Sequence, residues 1–370
     1  MQAQRVDTLR FRVEWEVVEG RHPLADSLGE LSGIALDARG NVYVSDFSAT
    51  TVWILDAGGR SVGRVGRKGR GPGEFEAPTG IAVAPDGNLV VRDINRVTTF
   101  APDPATGRLA KYEGAFAGPS MADWRSTFAT RFDAQRRLYY PAFNVANRTK
   151  RSGVFYIFAP DGRLTDSLVV PPFPGAPAPT ARVQTSATGG RMLRGLSHAP
   201  FAPLPSWDVT PRGTLVSGMG NRYEVQETDA RGALVRRYTR ALPPEPIPPP
   251  LRRDSLAALR QRLDSVPVPL ERVQGMPPDV REGRIPERFP AFMAVHAAAD
   301  GMLWIRRWSL NPRESVFDVF ASDGTLRHVV ILPRPIVVQP TPVLSLTRVA
   351  AIGIDADTGA NTVIVLRAMR

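Results

Sequence analysis

The chain lacks cysteine altogether and contains little lysine and histidine. The absence of cysteine excludes disulfides, cysteine-ligated metal sites and a thiol nucleophile. The four histidines are far apart along the chain, so the short spacings His-x-His and His-Glu-x-x-His that typify zinc sites do not occur. No apolar run approaches the roughly 18 to 20 residues of a membrane span.

Arginine supplies almost all of the positive charge, because Lys68, Lys111 and Lys150 are the only lysines. The formal net charge is +11, which favours an anionic partner such as a membrane surface, nucleic acid or an acidic small molecule. The same arginine bias, together with abundant alanine, proline and glycine, is also typical of a GC-rich genome. Both interpretations stay open at this point.

One phrase of sequence occurs twice in the first hundred residues. Residues 31–46, Leu-Ser-Gly-Ile-Ala-Leu-Asp-Ala-Arg-Gly-Asn-Val-Tyr-Val-Ser-Asp, return about 47 positions later as residues 78–93, Pro-Thr-Gly-Ile-Ala-Val-Ala-Pro-Asp-Gly-Asn-Leu-Val-Val-Arg-Asp. A period of forty-odd residues built from short alternating strands and glycine turns is the length of one four-stranded propeller blade. The 35 prolines and 32 glycines also favour turns over long helices.

The sequence therefore predicts an all-β protein, a single β-propeller domain over residues 1–370 with six blades of four antiparallel strands. The N-terminal strand, residues 9–18, is expected to complete the last blade, since an open sheet edge at the seam of the ring promotes aggregation. The predicted blades are residues 31–66, 78–116, 124–171, 206–242, 290–332 and 342–370.

A Pro-rich and helical insertion, residues 243–289, separates the fourth and fifth predicted blades. Leu256, Leu259, Leu263 and Val266 recur in it at helical spacing. This pattern predicts one short amphipathic helix, whose apolar side packs against the propeller or which serves as a moving lid.

The wording around the second repeat resembles that of NHL-repeat proteins. A Gly-rich stretch ends in Gly73-Glu74-Phe75 and precedes residues 78–83, Pro-Thr-Gly-Ile-Ala-Val, and residues 93–96, Asp-Ile-Asn-Arg, follow the second strand. The resemblance covers roughly residues 31–100 and implies a six-bladed propeller similar to NHL and TolB-like bacterial proteins. Such proteins mostly bind proteins, RNA or small ligands, and a minority are hydrolases, lactonases or lyases with a metal in the central channel. The family's aspartate, here Asp46 and Asp93, is expected to cap the turn after the strand.

Every long loop is predicted on one face, because the recognisable short turns all fall on the other. Loops on a rigid scaffold concentrate binding residues, so the long-loop face is the candidate ligand-binding surface, with the cations raising a positive potential and the tryptophan offering a stacking surface. The candidate residues are Arg148, Arg151, Arg222, Arg306, Arg307, Trp308 and Arg313. As exposed charges, Arg222, Arg306 and Arg307 should be replaceable by alanine without loss of folding.

The expected function is non-enzymatic binding of a protein or a small anionic ligand through that face. No catalytic residues and no cofactor are predicted, although Ca²⁺ in the channel is not excluded, since its ligands would come from several blades. His296 either faces the channel or is a packed core residue. A channel-centred metal-dependent hydrolase, lactonase or lyase is the alternative, and an RNA-binding module is the second alternative, with nucleic acid disfavoured as a partner.

The first residues of the sequence, Met-Gln-Ala-Gln-Arg, resemble a start placed where a signal peptide was removed. An extracytoplasmic protein of the bacterial cell envelope, periplasmic or secreted, is therefore expected. A monomer is expected as well.

Overall fold

The structure of the protein is a computed structural model that describes residues 6–18, 21–102, 109–119, 129–143, 153–173, 198–264, 278–355 and 358–369. Nearly all regular structure in these residues is β-strand, as the composition predicts. Most of the strands form antiparallel groups of four in which each strand pairs with the next along the chain.

Four of these groups are separate sheets. The first contains β2 (Leu31–Leu36), β3 (Val42–Asp46), β4 (Thr51–Leu55) and β5 (Ser61–Val65); the second contains β6 (Gly80–Val83), β7 (Leu89–Arg92), β8 (Arg96–Pro102) and β9 (Leu109–Ala117). The third contains β10 (Arg131–Phe132), β11 (Leu138–Phe143), β12 (Gly153–Phe158) and β13 (Leu164–Val169); the fourth contains β14 (Pro205–Val209), β15 (Leu215–Met219), β16 (Glu224–Thr228) and β17 (Leu234–Thr239).

The remaining strands form one eight-stranded sheet that includes the N-terminal strand β1 (Asp7–Val17). One part is β18 (Ala294–Ala297), β19 (Leu303–Arg307), β20 (Ser315–Phe320) and β21 (Leu326–Leu332), and the other is β22 (Val343–Leu344), β23 (Arg348–Ile354) and β24 (Asn361–Ala368). Residues 11–17 of β1 pair antiparallel with β24, and residues 7–10 pair parallel with β21. The predicted pairing of the N-terminal strand with the C-terminal strands is present.

Polar contacts also hold β1 in place. The carboxylate of Glu14 accepts hydrogen bonds from Arg348 and Arg367 at 2.9 and 2.6 Å. The indole N–H of Trp15 donates to the carbonyl of Ala57 in the first sheet, and its ring covers Gly59 so closely that a Cβ there would lie 2.6 Å away. The N-terminal strand therefore touches both the last strands and the first sheet.

Asp-x-x-Gly turns connect many of the strands. In the turn after β2, Asp37 Oδ1 accepts the backbone N–H groups of Arg39 and Asn41, while Gly40 adopts a φ of 87°, which glycine tolerates without steric cost. The aspartates after the second strands behave as predicted. Asp46 accepts from Gly29, Ser48 and Ala49, and Asp93 accepts from Glu76 and Ala77.

The Gly-rich stretch between the first and second sheets is an inter-sheet connector. Its Phe75 is fully buried, and two of its arginines are paired within the segment, Arg67 with Glu74 at 2.9 Å and Arg70 with Glu76 at 2.7 Å.

The core lies between neighbouring strand groups. Each apolar cluster combines buried residues of two groups that follow one another, and one cluster combines the first group with the last strands. The members include Ile54 with Phe100, Val97 with Tyr140, Tyr139 with Val209, Val225 with Phe292, Trp304 with Leu344, and Leu31 with Val365. The first strands also contact each other, as β2 does with β6 and β14 does with β18. Sheets packed face to face in this way, around their first strands, form a β-propeller.

The insertion contains α1 (Pro249–Asp264) and a single turn, α2 (Pro278–Arg281), and a 3-10 turn spans Ala25–Ser27 elsewhere in the chain. Leu259 and Leu263 are buried as predicted, and Val266 lies outside the described residues. The helix packs on the returning part of its own insertion, since Leu263 approaches Gly283. No helix among the described residues is long and apolar enough to cross a membrane.

Deletion of residues 1–18 is expected to abolish cooperative unfolding or to cause aggregation. The deletion removes the buried side chains of Phe11 and Val17 and leaves the hydrogen-bonding edges of β24 and β21 unpaired. Thermal denaturation followed by circular dichroism, with light scattering, measures the effect. A truncated chain that melts like the full chain would contradict this role for β1.

Candidate functional site

A central cavity of about 470 Å³ lies where the first strands of the groups meet. Its volume falls within the usual range of small-molecule pockets, roughly 300 to 1,000 Å³. The lining residues come from β2, β6, the stretch 129–134 with β10, the end of β14, the end of β18, and the segment 340–343.

The cavity runs along the first strands and reaches the face with the short turns. Its lining includes Leu36, Pro85, Ala134, Pro211 and Ala299, which are at the ends of first strands or in the turns that follow them. The sequence, by contrast, predicts a ligand-binding surface on the long-loop face. The cavity therefore lies inside the ring of strand groups and opens toward the short turns, which the sequence does not predict as a binding surface.

Most of the cavity wall is apolar, built from alanine, valine, isoleucine and proline. Two ionisable side chains, those of Arg131 and Asp133, line it. Asp133 is 2% exposed and is engaged in its own turn, since its carboxylate accepts from the side chains of Arg137 at 2.6 Å and Tyr139 at 3.2 Å. Arg131 is the other ionisable residue of the wall, and its partner lies in a different strand group.

Arg131 and Asp208 form a two-point ion pair between β10 and β14. Nε of Arg131 donates to Oδ1 of Asp208 at 2.9 Å, and Nη2 donates to Oδ2 at 2.6 Å. Asp208 Oδ2 also accepts the backbone N–H of Ala297 in β18 at 2.9 Å. One buried carboxylate therefore connects three neighbouring strand groups at the centre of the propeller.

His296 lines a second, much smaller cavity of about 10 Å³ together with Ser206, Asp208 and Thr341. Burial lowers the pKa of His296 to about 3, outweighing the opposing effect of Asp208. Among the described residues its Nε2 has no hydrogen-bond partner, and its ring lies 6.4 Å from that of Phe317. His296 is therefore a buried neutral residue that also borders the channel. Both positions that the sequence leaves open, a channel-facing residue and a packed core residue, thus apply to it.

Arg306 is buried, with 8% exposure, and the expectation that it presents an exposed cation is wrong. In β19 it lies opposite Ala294 and Phe317 and donates to the carbonyl of Ile336 at 2.5 Å and to Ser315 Oγ at 3.2 Å. Burial lowers its pKa to about 10. Among the described residues no carboxylate lies within ion-pair distance of it.

The other predicted cations are largely neutralised by acids. Arg307 lies 3.2 Å from the fully buried Asp318, which also accepts from Tyr223 and Arg240. Arg222 is exposed and lies 3.5 Å from Glu224. Since Arg306 and Arg307 are built into the structure, replacing them together with Arg222 should impair folding, and the expectation of an intact fold is corrected.

The remaining predicted residues do not converge on one described site. Trp308 stacks on Phe289 at 5.3 Å and meets Phe201 edge-on at 5.1 Å, so its ring packs the insertion against the fifth group. Arg313 is exposed in the loop before β20. Arg148 and Arg151 lie outside the described residues. Ligand binding by any of these residues stays a prediction.

Sequence reasoning missed Arg131 and Asp208, which are 77 positions apart. The only available signal was the position of each in the first strand of its predicted blade. Gly59-Arg60-Ser61-Val62-Gly63 matches the Gly-x-Ser-x-Gly spacing, but Ser61 begins the outer strand β5 and lacks the strand-turn-helix context of a nucleophile. Among the described residues no three His, Asp or Glu side chains are grouped so as to hold a metal ion.

No family model matches the sequence, and a search of curated proteins finds no significant relative. Among solved structures, the chain is similar to the PQQ-bound aldose sugar dehydrogenase of Streptomyces coelicolor, with 13% identity over 97% of this chain and 98% of that chain and a TM-score of 0.46. Virginiamycin B lyase from Staphylococcus aureus gives 10% identity, 97% and 100% coverage and a TM-score of 0.41. A calcium-binding regucalcin from Agrobacterium tumefaciens gives 14% identity, 98% and 97% coverage and a TM-score of 0.42. At these identities and TM-scores none of these similarities assigns a function.

The variant D208N is expected to lower the free energy of unfolding by about 3 kcal/mol, because it breaks a two-point ion pair whose carboxylate is buried and leaves the mostly buried Arg131 without a counter-charge. Urea denaturation measures the change. The control D161N removes an exposed pair, with side chains 66% and 71% exposed, and should cost less than about 0.5 kcal/mol. Equal effects of the two variants would contradict a central role for Asp208.

Stability is expected to fall as the pH drops below about 6.5, the pKa of an unfolded histidine. Because the pKa of His296 in the folded protein is about 3, the unfolded chain binds a proton between these values and the folded chain does not. The penalty is absent above pH 6.5, reaches about 2 kcal/mol at pH 5 and grows until about pH 3. Urea denaturation of wild type and H296Q at pH 7 and pH 5 isolates this contribution. An identical pH dependence in both proteins would rule it out.

Proposed function

We propose that the protein is a non-enzymatic binding propeller that takes a small molecule in its central cavity. The observation that carries the proposal is the cavity itself, which is of ligand size, mostly apolar and bounded by first strands from all around the centre. The ionisable groups beside it are engaged in structural bonds, Asp133 with Arg137 and Asp208 with Arg131. This arrangement favours binding over catalysis, and the metal-dependent alternative has no described observation in its favour.

We further propose that the strand groups make six blades closed by β1, as in the NHL and TolB-like propellers that the sequence resembles. In this assignment the eight-stranded sheet is two blades joined through the short parallel pairing of β1 with β21. The cluster that combines Val42 and Leu55 with Ile352 and Val363 supports closure, since it packs the first blade on the last. Single-domain organisation, extracytoplasmic location and the monomeric state stay predictions.

The variant A82F is expected to weaken ligand binding at least tenfold. Ala82 lies in β6, lines the cavity and is partly exposed, so a phenyl ring there occupies ligand volume. Compounds that raise the melting temperature of the wild-type protein in a small-molecule thermal-shift screen are retested by calorimetric titration against the variant. The matched control A257F adds the same ring on the exposed side of α1 and should bind like wild type.

Two outcomes would contradict the proposal. One is a set of compounds that bind A82F as tightly as they bind wild type. The other is a screen in which the only saturable ligands are abolished by substitution of Arg222 or Arg313 on the long-loop side and are insensitive to A82F.

A further inference from the structure

Arg131 lies in the apolar wall of the central cavity, and its two hydrogen bonds to Asp208 leave one nitrogen of its guanidinium for other contacts. Its two hydrogen bonds to Asp208 employ Nε and Nη2. Among the described residues Nη1 has no hydrogen-bond partner. The side chain is 21% exposed, so the guanidinium is held rigidly by the carboxylate on one edge while its other edge remains available.

We propose that the cavity binds a small molecule with an apolar body and one carboxylate, and that Nη1 of Arg131 donates a hydrogen bond to this carboxylate. This inference rests on the proposed function, since it names the ligand class for the same cavity. Because the carboxylate of Asp208 already fixes one edge of the guanidinium, the other edge is oriented in advance. A second charge-assisted hydrogen bond can therefore form with little further loss of side-chain entropy.

The charge balance around the cavity favours an anion. Asp133 is neutralised by Arg137, and Asp208 by Arg131. Arg306 is buried without a described carboxylate, and its positive charge acts on His296, where it favours the neutral ring and so lowers the pKa. Since His296 is neutral, none of these groups balances the positive charge of Arg306. A single ligand carboxylate would balance it.

The apolar wall of the cavity explains why the proposed ligand has an apolar body. Leu36, Val83, Phe132 and Val343 line the cavity and are partly exposed, and each buried methylene of a ligand contributes roughly 0.8 kcal/mol. Contact with these side chains rejects a ligand that is polar throughout, such as inorganic phosphate or a small sugar acid.

The test compares matched probes, 3-phenylpropionate with 3-phenylpropionamide and hexanoate with hexanamide, by calorimetric titration of the full chain. Each acid is expected to bind at least tenfold more tightly than its amide. The variants R131Q and R131K should reduce this preference to less than threefold. Lysine can keep the ion pair with Asp208 and lacks Nη1, so R131K remains informative if R131Q does not fold. The control R212Q changes an arginine paired with Glu227 outside the cavity wall and should keep the full preference.

The outcomes separate the two claims. Acid and amide binding with equal affinity, both weakened by A82F, would overturn the carboxylate assignment while leaving the binding function intact. An acid preference retained in R131K would overturn the role of Nη1. Absence of any binding by all four probes would overturn the assignment of the ligand class. The binding function would still be supported if a compound from the wider screen binds wild type and is weakened by A82F.

Discussion

The carboxylate of Asp208 is the contact on which the centre of the molecule depends. A first strand has an unpaired edge that faces the channel, where backbone N–H groups need partners. Asp208 supplies one to Ala297 of the next group and holds Arg131 of the preceding group. Ser206 does the same for the N–H of Val295 at 2.9 Å. These side-chain bridges join first strands that share no backbone ladder, and so they hold the cavity open at a defined size.

Much of the fold could be predicted from the sequence because the propeller is built from local signals. Alternating strands and Asp-x-x-Gly turns recur within forty-odd residues, so neighbours in space are neighbours in sequence. The capping roles of Asp46 and Asp93 followed from the same repeat. Even the non-local step, the pairing of β1 with the C-terminal strands, could be derived by counting strands and asking what would cover the last edge.

The site could not be predicted in the same way. The cavity exists only where residues more than 300 positions apart meet, such as Ser32 and Thr341, and no local pattern reports that convergence. Arginines near a loop are usually solvated, and for this reason the sequence predicts that Arg306 is exposed. The strand Leu303–Arg307 is apolar on both faces, and strand alternation places Arg306 on the same side as Trp304, which is fully buried. That alternation was the available signal, and it outweighs the general preference of arginine for solvent.

The central claim is that the ligand binds in the apolar cavity inside the ring and that the loops of the long-loop surface do not bind it. Methyl NMR of isoleucine-, leucine- and valine-labelled protein titrated with 3-phenylpropionate tests it most directly. The account predicts saturable shifts for the methyl groups of Leu36, Val83 and Val343, which line the cavity and are partly exposed, with no shift for Leu310, which is 53% exposed in the loop after β19. Shifts concentrated at Leu310 with unchanged cavity methyl groups would contradict the account.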